Sequence, residues 1–227
     1  TPNNQPSFIM HSGTVSGNLV DDQPDINLGQ SLYVYGIGIG TYSVSSLLIE
    51  GGEISENRLE NLYNYDRTYR CYFYGAGMHV GAPSAVPNIV IRNLTVKNNS
   101  LSEDYGTVQA YRVYFYGGGL SFSYGLSNYT NNPVVLLENV QVLDNVVKSI
   151  RNSVTNAYGG GIEFQGSQSS YASDVARLLN VTVRGNHATN GGGIYGSFHW
   201  AKNLTVTGNT ASSYGGGWST GPTSGSY

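Results

Sequence analysis

Six times along the chain a short apolar pattern ends in an asparagine, and a cluster of glycines follows. The blocks are SGTVSGN ending at Asn18, GGEISEN at Asn57, NLTVKNN at Asn99, NVQVLDN at Asn145, NVTVRGN at Asn186 and NLTVTGN at Asn209. The glycines follow at 36–38, 75–77, 117–119, 159–161, 191–193 and 215–217, usually with an apolar residue next. A unit copied in this way is an internal repeat. Each copy of a repeat buries its apolar face against the next one, so this feature decides the architecture before any single residue does.

Counted from the last glycine of each cluster, the units are spaced by 39, 42, 42, 32 and 24 residues, so a compact unit tolerates large additions. Between the asparagine and the first glycine the chain advances 18, 18, 18, 14, 5 and 6 positions, which places a loop there that shrinks toward the C-terminus. A unit of about 24 residues accommodates three strands of ordinary length with turns between them. Three residues before the asparagine stand Val15, Ile54, Val96, Val142, Val183 and Val206. Two further back stand Gly13, Gly52, Leu94, Val140, Val181 and Leu204, and the positions between are polar: Thr14, Glu53, Thr95, Gln141, Thr182 and Thr205. Period two with β-branched residues on one parity reads as strand with one buried face. Met10, Ile49, Ile91, Leu137, Leu178 and Ala201 form a second inward column. The expected fold is therefore all-β: a right-handed parallel β-helix, a solenoid of about six coils, with long loop insertions in the N-terminal coils and residues 1–227 forming one domain. A leucine-rich repeat shares the V-x-V-x-x-N strand pattern. It continues with a buried leucine and a helical turn, whereas here polar residues and glycines follow.

Composition narrows the partners. A net charge of −3 with 11 basic residues spread along the sequence offers no basic stripe, so nucleic acid and anionic membranes are not expected partners. No apolar run is long enough for a membrane-spanning helix. The chain starts at Thr1 without a leader-like segment and stops without an evident cap, so it reads as a processed chain or a segment of a longer solenoid. One cysteine, Cys71, rules out an internal disulfide framework; it reads as a small buried hydrophobe, with an intermolecular bridge as the alternative.

Asn93, Asn98, Asn128, Asn180 and Asn203 each begin an N-glycosylation sequon. Asn93, Asn180 and Asn203 share one repeat position on the polar parity, where an outward glycan has room. Extracellular or cell-surface localisation is the corresponding expectation.

In a stack of parallel coils, equivalent residues lie about 4.8 Å apart, so columns carry the chemistry. The asparagines Asn18, Asn57, Asn99, Asn145, Asn186 and Asn209 read as a structural ladder, each inward amide donating and accepting along the stack. The glycine clusters lack the following helix and lysine of a phosphate loop and read as tight bends. Glu50, Arg92 and Glu138 fall on successive coils as a surface charge ladder, with an acid/base site as the alternative. His79, Ser121, Glu163, Tyr195 and Ser219 have the residue types of a hydrolase but are spread over five coils, so most pairs are expected to be out of contact. No catalytic group, metal site or cofactor is assigned. The 19 tyrosines gather around the insertions, as in YVYG and twice YFYG; they read as packing beneath the loops, with sugar stacking or a protein interface as alternatives.

The V-x-x-N block followed by G-G-G-I resembles the repeats of polymorphic outer-membrane proteins, written F-x-x-N with G-G-A and an aliphatic residue. It is clearest over VRGNHATNGGGI, Val183 to Ile194. Here valine replaces the phenylalanine, a third glycine replaces the alanine, and no outer-membrane barrel is present. The resemblance implies a right-handed parallel β-helix at a cell surface, used in adhesion or as a stalk. The leading expectation is thus a non-enzymatic structural β-helix glycoprotein, a fibre, stalk or adhesin, associating with itself through open β-helix ends and carrying covalent N-glycans. A carbohydrate or surface receptor is the further candidate partner. The alternatives are a carbohydrate-active β-helix enzyme (polysaccharide lyase or glycoside hydrolase) and a glycan-binding module.

Overall fold

The computed structural model describes residues 7–21, 31–42, 44, 46–60, 70–81, 88–102, 112–123, 135–148, 156–165 and 176–220. Among the described residues every element is a short strand and none is a helix. All strand pairing is parallel, and each strand is followed by its counterpart one coil later. The architecture is all-β and solenoid-like: four parallel sheets run along the stack.

The first sheet is built from Ser7–Met10, Ser46–Ile49, Asn88–Arg92, Val135–Glu138, Ala176–Leu179 and Trp200–Lys202. The second holds Thr14–Ser16, Gly52–Ser55, Leu94–Lys97, Gln141–Leu143, Thr182–Arg184 and Thr205–Thr207. The fourth holds Ile39–Thr41, Met78–Val80, Leu120–Phe122, Ile162–Phe164, Ile194–Tyr195 and Trp218–Ser219. Register follows the repeat. Ile49, Ile91, Leu137 and Leu178 lie opposite one another in turn, and so do Ile54, Val96, Val142 and Val183; all eight are fully buried.

The third sheet departs from the three-strand unit read in the sequence. Its first limb is Leu19–Asp21, Arg58–Glu60, Ser100–Ser102 and Val146–Lys148; its second is Leu32–Tyr35, Arg70–Tyr74, Arg112–Tyr116 and Asn156–Tyr158. Both limbs pair with the single strand His187–Asn190, through Val146↔His187 and Tyr158↔Asn190. The insertion after the asparagine therefore interrupts a strand rather than lengthening a corner. Among the described residues a compact coil has four strands and a long one has five. Two apolar clusters result. The larger draws on the first, second and fourth sheets, as with Ile91, Val96 and Leu120. The smaller lies between the limbs, with Leu59, Leu101 and Val147 from one limb meeting Cys71, Phe73, Phe115 and Ala157 from the other. Cys71 is fully buried there.

The corners explain the punctuation in the sequence. Between the first and second sheets stand Asn93, Asn139, Asn180 and Asn203, all with φ between 52° and 55°. Asparagine is among the few side chains that tolerate this left-handed conformation. At the corner before the fourth sheet, Gly75 has φ 62°, and a Cβ there would lie 2.1 Å from the Met78 carbonyl oxygen. Glycine is required twice over at that bend.

Candidate functional site

Polar side chains recur in columns, and four columns are joined by contacts between coils. The inner one follows the second sheet. Asn18 Nδ2 donates to Asn57 Oδ1 at 2.7 Å, and the Asn57, Asn99, Asn145 and Asn186 amides each donate to the next asparagine oxygen at 2.9 Å, ending at Asn209. Each of these oxygens also accepts the preceding asparagine's backbone N–H. From Asn57 to Asn186 the residues are fully buried. Buried amides with this many partners are strongly coupled to the fold, because removing one strands its neighbours at about 1–3 kcal/mol each.

A second asparagine column runs along the exposed corner. Asn203 Nδ2 donates to Asn180 Oδ1 (2.8 Å), Asn180 to Asn139 (2.9 Å) and Asn139 to Asn93 (3.1 Å). Three members begin sequons; Asn139 does not. It was legible in the sequence only as the same offset within the repeat. Asn98 is exposed at the next corner with φ 55°. Asn128 lies outside the described residues.

The first-sheet charge column contains one strong node. Glu50 accepts from His11 Nδ1 at 2.5 Å and from Arg92 Nη2. The bond from His11, and then that from Arg92, hold the Glu50 carboxyl below its usual range. Arg92 pairs in register with Glu138, but the ion pair it makes is with Glu50. His11 takes the neighbouring place in the column.

In the fourth column three of the five hydrolase-type residues, those on neighbouring coils, come into contact. His79, Ser121 and Glu163 face one another on the successive strands Met78–Val80, Leu120–Phe122 and Ile162–Phe164. Ser121 Oγ donates to Glu163 Oε2 at 2.9 Å and lies 3.3 Å from His79 Nδ1. The serine hydroxyl thus bridges the imidazole and the carboxyl. His79 Nε2 and Glu163 Oε1 are buried without a hydrogen-bond partner among the described residues. Burial pushes Glu163 up to about 8, opposed in part by the Ser121 bond, and pushes His79 down to about 3. At neutral pH both groups are uncharged. A serine nucleophile needs its proton directed at the base and its oxygen open to substrate. This serine lacks the second, being fully buried.

Tyrosines cover the column. Tyr35 and Tyr74 lie 5.1 and 5.2 Å from the His79 ring. They belong to an inner stack, Tyr35, Tyr74, Tyr116 and Tyr158, with centroids 4.8–5.6 Å apart. Tyr33, Tyr72 and Tyr114 form an outer stack at 4.8 Å with ring planes 5–6° from parallel. The insertions beneath which the sequence places these rings lie outside the described residues; among the described residues the rings stack chiefly on one another. The signal was present in Y-x-Y-G, whose two tyrosines lie two residues apart and so share one strand face. Parallel stacking turns the ring faces within each stack toward each other, whereas sugar stacking requires a free face.

Among the described residues no three His, Cys, Asp or Glu side chains are grouped to hold a metal ion. Comparison with known proteins finds no matching family model, no matching curated protein and no matching solved structure.

Proposed function

We propose that residues 1–227 form one domain, a right-handed parallel β-helix of about six coils, acting as a non-enzymatic structural glycoprotein outside the cell or on its surface, as fibre, stalk or adhesin. The hand follows from the strong preference of connections between parallel strands for right-handed crossovers. The repeat's resemblance to polymorphic outer-membrane proteins over Val183 to Ile194 favours the surface role. One observation carries the structural reading: the inner asparagine ladder has a direction. Each amide donates toward the C-terminal side, so Asn18 Oδ1 remains as acceptor at one end, while Asn209 Nδ2 donates only to Val183 O at the other, among the described residues.

The two ends are also the apolar part of the surface. The exposed large apolar and aromatic side chains among the described residues are Ile9, Leu19, Tyr33, Tyr35 and Tyr42 in the first coil and Trp200, Tyr214 and Trp218 in the last. A further coil, from a second copy or from the same polypeptide, extends the ladder and covers these groups. Such a head-to-tail contact need not close into a ring. Light scattering and electron microscopy of the natively sourced protein are expected to reveal end-to-end association; a monomer at high concentration, with its natural termini established, would overturn it.

The outward sequons fit N-glycans. Asn180 and Asn203 sit on adjacent coils with their amides in contact, too close for two glycans side by side, whereas Asn93 is separated from Asn180 by Asn139. Mass spectrometry of native peptides is expected to find Asn93 modified together with one of Asn180 and Asn203 per molecule. All three bare would remove the argument for a secretory origin. The enzyme alternative draws on the His79, Ser121 and Glu163 column, whose burial does not favour it. The glycan-binding alternative loses the stacked tyrosines, whose faces are turned to one another, and rests on exposed rings such as Tyr42 and Tyr214.

A further inference from the structure

The outer tyrosine stack is a reactive arrangement that the structural role does not require. Tyr33 and Tyr72 are paired in register on neighbouring parallel strands, with ring centroids 4.8 Å apart and planes 5° from parallel. Tyr33 is 50% exposed, so an oxidant in solution reaches it, and Tyr72 is half-buried directly beside it. The rings are already in contact, and the soft torsion about χ2 lets the ortho carbons approach. Tyr72 in turn stacks on Tyr114 at 4.8 Å.

We propose that Tyr33 and Tyr72 are an oxidative modification site, joined ortho carbon to ortho carbon as a dityrosine that staples the first coil to the second. The oxidant is hydrogen peroxide acting through a haem peroxidase. Each phenol gives up one electron and one proton and becomes a phenoxyl radical. The two radicals combine through their ortho carbons, forming one C–C bond. The two displaced ring hydrogens then move to the oxygens and restore both phenols. The peroxide takes up the two electrons and two protons and leaves as two waters, so the joined product is two hydrogens lighter than the two tyrosines.

The structure also selects among the tyrosines. In the inner stack Tyr35 and Tyr74 lie farther apart and less parallel, 5.1 Å and 13° against 4.8 Å and 5°, and burial raises both phenols above their ordinary values, which opposes the proton loss that accompanies oxidation. Tyr42 and Tyr214 are each 67% exposed, but among the described residues neither stacks in parallel on another tyrosine; Tyr42 is tilted by 48° against Tyr35. Exposure alone would direct coupling to Tyr42 and Tyr214 between molecules. Stacking directs it to Tyr33 and Tyr72 within one molecule.

The proposal stands on ring geometry in the unassociated chain, where Tyr33 is exposed; an added coil would cover Tyr33, so the test is run on dilute monomer and reads coupling separately from association. The test treats the full chain, dilute, with peroxidase and hydrogen peroxide, then digests it and identifies joined peptides by mass. The expected main product joins the Tyr33 peptide to the Tyr72 peptide within a monomer. Its yield should be at least about tenfold higher than for the chain in denaturant, where 39 residues separate the rings and a flexible tether supplies only about millimolar effective concentration. Tyr72→Phe should abolish the product while circular dichroism stays native. Tyr114→Phe should preserve it, which guards against a folding defect in the first variant. Predominant coupling through Tyr42 or Tyr214, or equal yields from folded and unfolded chain, would overturn the proposal.

Discussion

Val142→Asp is expected to unfold the stack at ordinary temperature. Val142 is fully buried, in register with Val96 on one side and Val183 on the other, and its carbonyl accepts the Asn186 amide. It also sits against the glycine bend, for a Cβ on Gly119 would meet Val142 Cγ1 at 3.0 Å. An aspartate here either ionises without a partner or binds a proton, and both cost several kcal/mol against water. That is comparable with the whole stability of a typical domain, about 5–15 kcal/mol. Two companion variants locate the cause. Val142→Ala only opens a cavity and is expected to cost about 1–3 kcal/mol. Gln141→Asp places the same charge one residue earlier on the exposed face and should shift stability by less than about 0.5 kcal/mol. Denaturant melts of the three would refute the register if Val142→Asp behaved like Gln141→Asp.

The second large effect is a stability plateau in mildly acidic solution that Glu163 cuts off on the alkaline side. Glu163 holds its proton to about pH 8 in the fold, against an ordinary value of 4.5. Its stabilising contribution is thus complete below 4.5 and lost as pH rises toward 8. His79 is displaced oppositely, to about 3 from 6.5, so its contribution is complete above 6.5 and lost as pH falls toward 3. Each slope is about 1.4 kcal/mol per pH unit. Between 4.5 and 6.5 the slopes cancel. Above that window the glutamate acts alone, and the loss is on the order of a few kcal/mol by pH 8. Glu163→Gln keeps the shape and an oxygen for the Ser121 proton but cannot ionise. Melting temperature should fall from pH 6.5 to 8 in the native protein and stay level in the variant. Equal decline in both would show that Glu163 is not the titrating group.

The same column marks the boundary between what the sequence specified and what it did not. Alternation around Val96, Val142 and Val183 is a local property of strands, since successive side chains point to opposite faces whatever the rest of the chain does. So the parallel coils, the inward valines, the inward asparagines and the glycine bends were legible from the repeat, and the structure places those valines in one buried register. The left-handed corners were legible in retrospect as well, from Asn93, Asn139, Asn180 and Asn203 at one offset.

Contacts between coils are different in kind. They join residues 22 to 49 positions apart, across insertions of unequal length. A repeat alignment names the members of a column without saying which of them touch. His79, Ser121 and Glu163 appeared as residue types dispersed over several coils; the parallel register brings them within hydrogen-bond reach, and the tyrosines beside them exclude water. Likewise the insertion after each asparagine was visible as added length. That it divides a strand into two limbs around Phe73 and Phe115 depends on both limbs returning to the one strand His187–Asn190. The sequence by itself determined which faces are buried, because strand periodicity is local. The tertiary structure alone decided which polar groups meet and which are cut off from solvent, because neighbourhood and desolvation are properties of the stacked coils together.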